Sequence, residues 1–197
     1  SHFISGETKL AEIVVKGPAG LRVLPAGSGV SDVTSLTDEQ KLRLLEELDT
    51  LAAEFDFLLI DSAAGISQNV IYFNLAAQTT IVIVTPEPTS LTDAYATIKV
   101  LSRDYHQDRF QVLCNDVADE QEALAVFNKL TRVTDRFLNV SLNFLGFLPH
   151  DRNVTQAVRM QRPFCEAFPD GPAACGMRAL ARQVAALEHD QLRSDLG

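Results

Sequence analysis

The run Phe57-Leu58-Leu59-Ile60 ends on Asp61, and the residues that follow, Ser62-Ala63-Ala64-Gly65, are all small. A carboxylate at the tip of a buried apolar strand, ahead of such a loop, suits a magnesium ion held through its waters, because Mg²⁺ dehydrates reluctantly and needs only one or two carboxylates. The same aspartate could simply open a turn, since Asp bonds readily to the backbone two residues on. Pattern alone leaves both readings open. Other apolar runs also exit into residues that turn the chain or meet ligands: Pro25-Ala26-Gly27-Ser28-Gly29, Pro86-Glu87, Asn115-Asp116 and Pro149-His150-Asp151. Ligands of an open parallel sheet sit outside the carboxyl ends of its strands, so these exits, with Asp61, are expected to ring one site. Taken by itself, Asn115 is better read as the N-cap of the helical stretch that follows it.

The elements that must position these residues alternate between two periods. Leu21 to Gly27 is a short apolar run stopped by Pro and Gly, read as a strand and its exit turn. Thr37-Asp38-Glu39-Gln40 has the spacing of a capping box and starts a helix whose buried face is expected at Leu45, Leu48, Ala52 and Phe55. Phe57 to Ile60, Thr80 to Thr85, Phe110 to Asn115 and Leu142 to Pro149 are apolar without clean alternation, the form of strands buried on both faces. Helical stretches lie between them, beginning at Thr89 and at Asp119, and a last one runs from Gly176. Strand, helix, strand, helix predicts an α/β fold: an open, mostly parallel sheet with helices on both faces.

A chain of 197 residues with 46% apolar content can bury one sizeable core, so residues 1–197 are expected to form a single domain. Its 17 basic and 26 acidic residues give a net charge of −9, which opposes direct binding to nucleic acid or to an anionic membrane surface. Cys114, Cys165 and Cys175 lie far apart, without the spacing of a disulfide framework or thiolate metal site, as suits a reducing cytoplasm. His2, His106, His150 and His189 show no metal-ligand spacing and read as surface or packing residues. Met177, Leu180, Val184 and Leu187 share one face of the last helix, better suited to packing on the sheet than to a membrane.

In order and spacing, the segments Phe55–Ser67, Thr80–Leu101, Val112–Val117 and Leu145–Phe164 resemble the MinD/ParA group of deviant P-loop ATPases. Within that group the Thr-Pro-Glu-Pro-Thr-Ser-Leu-Thr-Asp-Ala-Tyr run is most similar to the FlhG/FleN branch of flagellar-number regulators. The resemblance covers essentially the whole chain. It implies ATP or ADP with Mg²⁺ as family cofactors. Asp61 would be the Walker-B aspartate that holds the metal, and Ser62 to Gly65 the switch that responds to the γ-phosphate. Asn115 would bond the adenine amino group, and Pro149 with Asp151 would belong to the loop that closes over the base. The resemblance places Glu87 and Asp93 near where family members meet partners; read by themselves they equally fit a solvated helix start, where acids favour the dipole. Implied partners are a second copy of the chain and flagellar assembly proteins; the implied location is cytoplasmic, with the parent protein at the membrane or cell pole.

One departure from the family pattern is large. Its members carry a Gly-rich loop ending Gly-Lys-Ser/Thr, whose backbone N–H groups and lysine cradle the phosphates. Here the lysines are Lys9, Lys16, Lys41, Lys99 and Lys129, and glycine precedes none of them. With Ser at position 1, the expectation is an N-terminally truncated MinD-like domain without the first strand and P-loop. Such a chain would not hydrolyse ATP, would hold no nucleotide by itself, and would cover its exposed strand edges by self-association or strand exchange. The alternatives are a naturally P-loop-less, non-enzymatic partner-binding homologue, and a division-site or plasmid-partition ATPase.

Overall fold

A computed structural model describes residues 9–25 and 36–194, with side chains as far as Leu187. The chain forms two compact units, Ser1–Gln78 and Thr79–Gly197.

In the first unit a short helix, α1 (Leu10–Ile13), leads to a two-residue ladder of β1 (Val15–Lys16) and β2 (Arg22–Val23), paired antiparallel with Val15 opposite Val23. Only Arg22 and Val23 of the expected Leu21–Gly27 run form strand, and Ala26 and Gly27 lie outside the described residues. Next comes α2 (Asp38–Ala52), opened by the expected capping box: Thr37 Oγ1 accepts from the Gln40 N–H at 3.3 Å, and Gln40 Oε1 from the Thr37 N–H at 2.9 Å. Its buried face is Leu44, Leu48 and Leu51: Leu48 is as expected, while Leu44 and Leu51 each stand one residue before the expected Leu45 and Ala52. Leucines crowd this helix on both sides of position 45, so more than one set satisfies the 3.6-residue period. Packing against Leu10 and Leu36 selects one of them. Phe55 lies beyond the helix end and is exposed. The α2 helix is tied to α1 by Leu10 N–H donating to Glu47 Oε2 at 2.7 Å, and to α3 (Gln68–Ala76) by Tyr72 Oη donating to the Lys41 carbonyl at 2.9 Å.

Phe57–Ile60 departs most from expectation. It is not a strand, and Leu59 is 77% exposed. An apolar run becomes a buried strand only when neighbours supply both ladder bonds and covering side chains, and no described residue pairs with this one.

The second unit meets expectation closely. Strands β3 (Ile81–Val84), β4 (Arg109–Val117) and β5 (Ser141–Pro149) form a parallel sheet in that order. Helix α4 (Pro88–Tyr105) joins the first two strands and α5 (Glu120–Phe137) the last two. Val82, Val84, Val112 and Cys114 from the strands pack with Ala94, Ile98, Val126 and Leu130 from the helices in one continuous core. Alternation turns Ile83 to the opposite face of the sheet, where it is 60% exposed. After β5 come α6 (Arg152–Arg159), α7 (Phe164–Ala167) and α8 (Pro172–Ser194), the last packing on β5. Gly146 permits that approach: a Cβ there would lie 3.2 Å from Gln183 Oε1, and its φ of +143° disfavours other residues. Met177, Leu180, Val184 and Leu187 are half-buried, as expected of a helix packed on the sheet. No described helix is long and apolar enough to cross a membrane.

Candidate functional site

Because β3, β4 and β5 are parallel, their carboxyl ends lie at one edge of the sheet. That edge gathers three of the expected exits: Pro86-Glu87, Asn115-Asp116 and Pro149-His150-Asp151. Asp61 belongs to the other unit, and Gly27 to Gly29 lie outside the described residues.

Asn115 sits opposite Leu148, and Val117 opposite Pro149, so Asp116 is an extra residue on β4 that the ladder must absorb. It does so with φ +58°, a left-handed conformation that Asp tolerates better than most side chains. Two contacts then lock the ends of the strands together. The His150 N–H donates to the Val117 carbonyl at 2.7 Å, and His150 Nδ1 lies 2.6 Å from Asp116 Oδ1. Both side chains are well exposed, so that contact adds little stability.

The Asn115 amide is half-buried and bonds to no described residue. It does not cap α5. That role falls to Asp119, which accepts from the Glu122 N–H at 2.9 Å while Glu122 Oε2 accepts from the Ala118 N–H at 2.6 Å. Among the described residues nothing competes for the acceptor and two donors of Asn115.

Asp151 is fully employed. It caps α6 through Oδ1, which accepts from the Asn153 N–H at 2.9 Å, and it caps α8 through Oδ2, which accepts from the Ala173 N–H at 3.2 Å. One carboxylate thus holds two helix N-termini, where the backbone dipoles favour negative charge. Gly171 makes room for it, since a Cβ at that position would lie 2.9 Å from Asp151 Oδ2. At the β3 exit the Thr85 N–H donates to Ser90 Oγ at 2.9 Å, leaving Glu87 exposed at the start of α4 without a capping bond from its side chain. Asp93 is exposed in the second turn of the same helix.

In the first unit, Asp61 is exposed and its carboxylate bonds to no described residue, so it is open to a water-mediated cation, the donor set expected for Mg²⁺. Gly65 has φ +97° with nothing within 4 Å of a built Cβ, so glycine is required there by conformation and not by crowding. Ser67 then caps α3. No group of three or more His, Cys, Asp or Glu side chains among the described residues is placed to hold a metal. At the carboxyl edge of the second unit's sheet the Asn115 side chain stands beside a loop braced by Asp151.

Sequence reasoning named Asp116 only as part of a strand exit and missed its left-handed backbone and its contact with His150, the room left by Gly171, and the double cap made by Asp151. The Ala173 partner of Asp151 is distant in sequence, and no sequence reading pointed to either of the two caps.

No family model matches the chain. It is 42% identical over 184 residues to the antiactivator FleN of Pseudomonas aeruginosa, covering 93% of this chain and 66% of that protein. It is 27% identical over 170 residues to the flagellum site-determining protein YlxH of Helicobacter pylori, covering 86% of this chain and 57% of the relative. The chain thus spans less than two thirds of the length of these relatives. Among solved structures, it superposes on the MinD cell division protein of Aquifex aeolicus with a TM-score of 0.71 at 20% identity, over 94% of this chain and 73% of that one. The Pyrococcus horikoshii MinD complexed with Mg-ADP gives 0.66 at 20% identity, over 95% and 73%. The structures speak for the fold and the relatives for the lineage: the chain belongs to the MinD/ParA-type family, in its FlhG/FleN branch.

Proposed function

We propose that this chain carries the base-recognition edge and the partner-bearing helices of a MinD-like, ATP-dependent dimerisation switch that regulates flagellar number or placement. The observation that carries this reading is the unengaged Asn115 amide beside the Pro149–Asp151 loop, in a chain 42% identical to FleN. Asn115 would bond the purine edge through its donor and acceptor together. Pro149 would present a fixed backbone to the ring, and Asp151 would act as a positioning residue, bracing the loop through α6 and α8. Asp61 would hold Mg²⁺ through water and Gly65 would let the neighbouring loop respond to the terminal phosphate; the metal's contribution, when bound, is charge neutralisation on the phosphates.

The sequence contains no Gly-Lys-Ser/Thr loop. Phosphoryl transfer depends on positioning and charge stabilisation, so these 197 residues are not expected to hydrolyse ATP or retain it tightly. The same feature supports a second reading, a non-enzymatic partner-binding homologue. Adenosine separates the two because it needs no phosphate cradle. In a ¹⁵N-resolved titration, millimolar adenosine should shift the Asn115 side-chain amide and the His150 backbone, guanosine should not, and Asn115→Ala should abolish the response. Equal response to both nucleosides, or none, would remove the base site and leave the partner-binding reading.

A further inference from the structure

We infer that the outward face of α6 and the turn closing it form a docking surface for an acidic, partly apolar segment of a partner protein. From Arg152 to Cys165 the chain carries three arginines and no acidic residue, although its net charge is −9. Arg152 and Arg159 are seven residues apart on α6 and share its outward face, opposite buried Ala157. The helix stops in a left-handed turn at Gln161, φ +52°, with the Arg162 N–H donating back to the Ala157 carbonyl at 3.1 Å. None of the three arginines forms an ion pair among the described residues, and all are exposed. Beside them Val158 is 71% exposed and Met160 45%.

Guanidinium groups with free donors bind carboxylates in pairs, and Arg and Met are enriched where proteins meet. Exposed apolar side chains next to unpaired cations therefore fit an acidic amphipathic segment. The other anionic surfaces fit less well. A DNA duplex or an anionic bilayer extends well past the three arginines and meets the rest of a chain of net charge −9, whereas a short segment touches only the arginine face; and two exposed apolar side chains are too few to anchor a helix in a bilayer. The surface adjoins the Pro149–Asp151 loop through the Asp151 cap of α6, yet the inference does not depend on a nucleotide being bound there.

The probe is a fluorescein-labelled 20-residue peptide of Glu and Leu in helical amphipathic spacing, followed by anisotropy on the full chain. Binding should weaken at least about tenfold between 0.05 and 0.3 M salt. Arg152→Gln with Arg159→Gln should weaken it by roughly tenfold or more, and Val158→Ser by roughly fivefold. Lys99→Gln, an exposed cation on α4, should leave it unchanged, and far-ultraviolet circular dichroism should match for all variants. The inference is overturned if the peptide does not bind, if the arginine variants bind as wild type, or if duplex DNA or phosphatidylglycerol vesicles bind more tightly through the same arginines.

Discussion

The two units put similar apolar runs to different ends. In the second, Ile81–Val84 and Arg109–Val117 find ladder partners and helices, and a core of twelve buried side chains closes around them. In the first, the equally apolar Phe57–Ile60 finds neither among the described residues and lies exposed, while the core cluster described there is built on Leu10, Leu36, Leu44 and Leu48. Strand character is thus conferred by neighbours as much as by composition. A run written for a parallel sheet is half of an interaction, and it stays irregular until the other half is present.

The sharpest way to test this contrast is to damage the larger core. Ile98→Ala removes a fully buried side chain and should destabilise the second unit by about 2–5 kcal/mol in urea unfolding. Amides of the first unit should keep their hydrogen-exchange rates; a parallel loss in both would mean that the units do not unfold separately.

Next in size is a pH effect at Cys114 in the second unit. Burial pushes the Cys114 thiol up to about 11 from an ordinary 9.0, so the folded chain keeps a proton that the unfolded chain releases. Stability should therefore be intact below about pH 9 and fall by roughly 2–3 kcal/mol as pH rises to about 11, a loss that Cys114→Ala removes. Denaturant midpoints across that range check it, and a flat profile in wild type would contradict the burial argument.

Smaller again is the brace. Asp151→Ala takes the cap from both α6 and α8 and should cost about 1–2 kcal/mol, with the amide resonances of Asn153 and Ala173 moving together. Movement of Asn153 alone would mean that the second cap contributes nothing.

The least effect on folding is expected at the exposed run. Leu59→Asp should change stability by less than about 0.5 kcal/mol, yet shift light-scattering mass toward the monomer if apolar exposure drives self-association. An unchanged mass distribution would locate any self-contact elsewhere.

Much of the second unit was legible in advance, because β3, β4 and β5 are continuous apolar runs with turn residues at their ends and α4 and α5 keep one apolar stripe each. The Thr37 capping box was legible for the same reason: its partners are three residues apart. What could not be read depended on distant chain. The α2 face is chosen by Leu10, far away in sequence, from among leucines that satisfy the same period. At the candidate site, Asn115 and Pro149 followed from position at strand ends and from resemblance. The clamp around them did not, since Ala173 and Gly171 meet Asp151 only after α8 has packed on β5.

Asp116 carries a side chain where the backbone is left-handed, and it uses that side chain to reach His150. Few amino acids can meet both demands. Glycine would suit the backbone and forfeit the reach; a β-branched residue could not adopt the backbone at all; asparagine alone satisfies each in part. Because the exposed contact with His150 is weak, the backbone is what discriminates at the joint between the second and third strands of the sheet, and it does so against β-branched residues although solvent surrounds it.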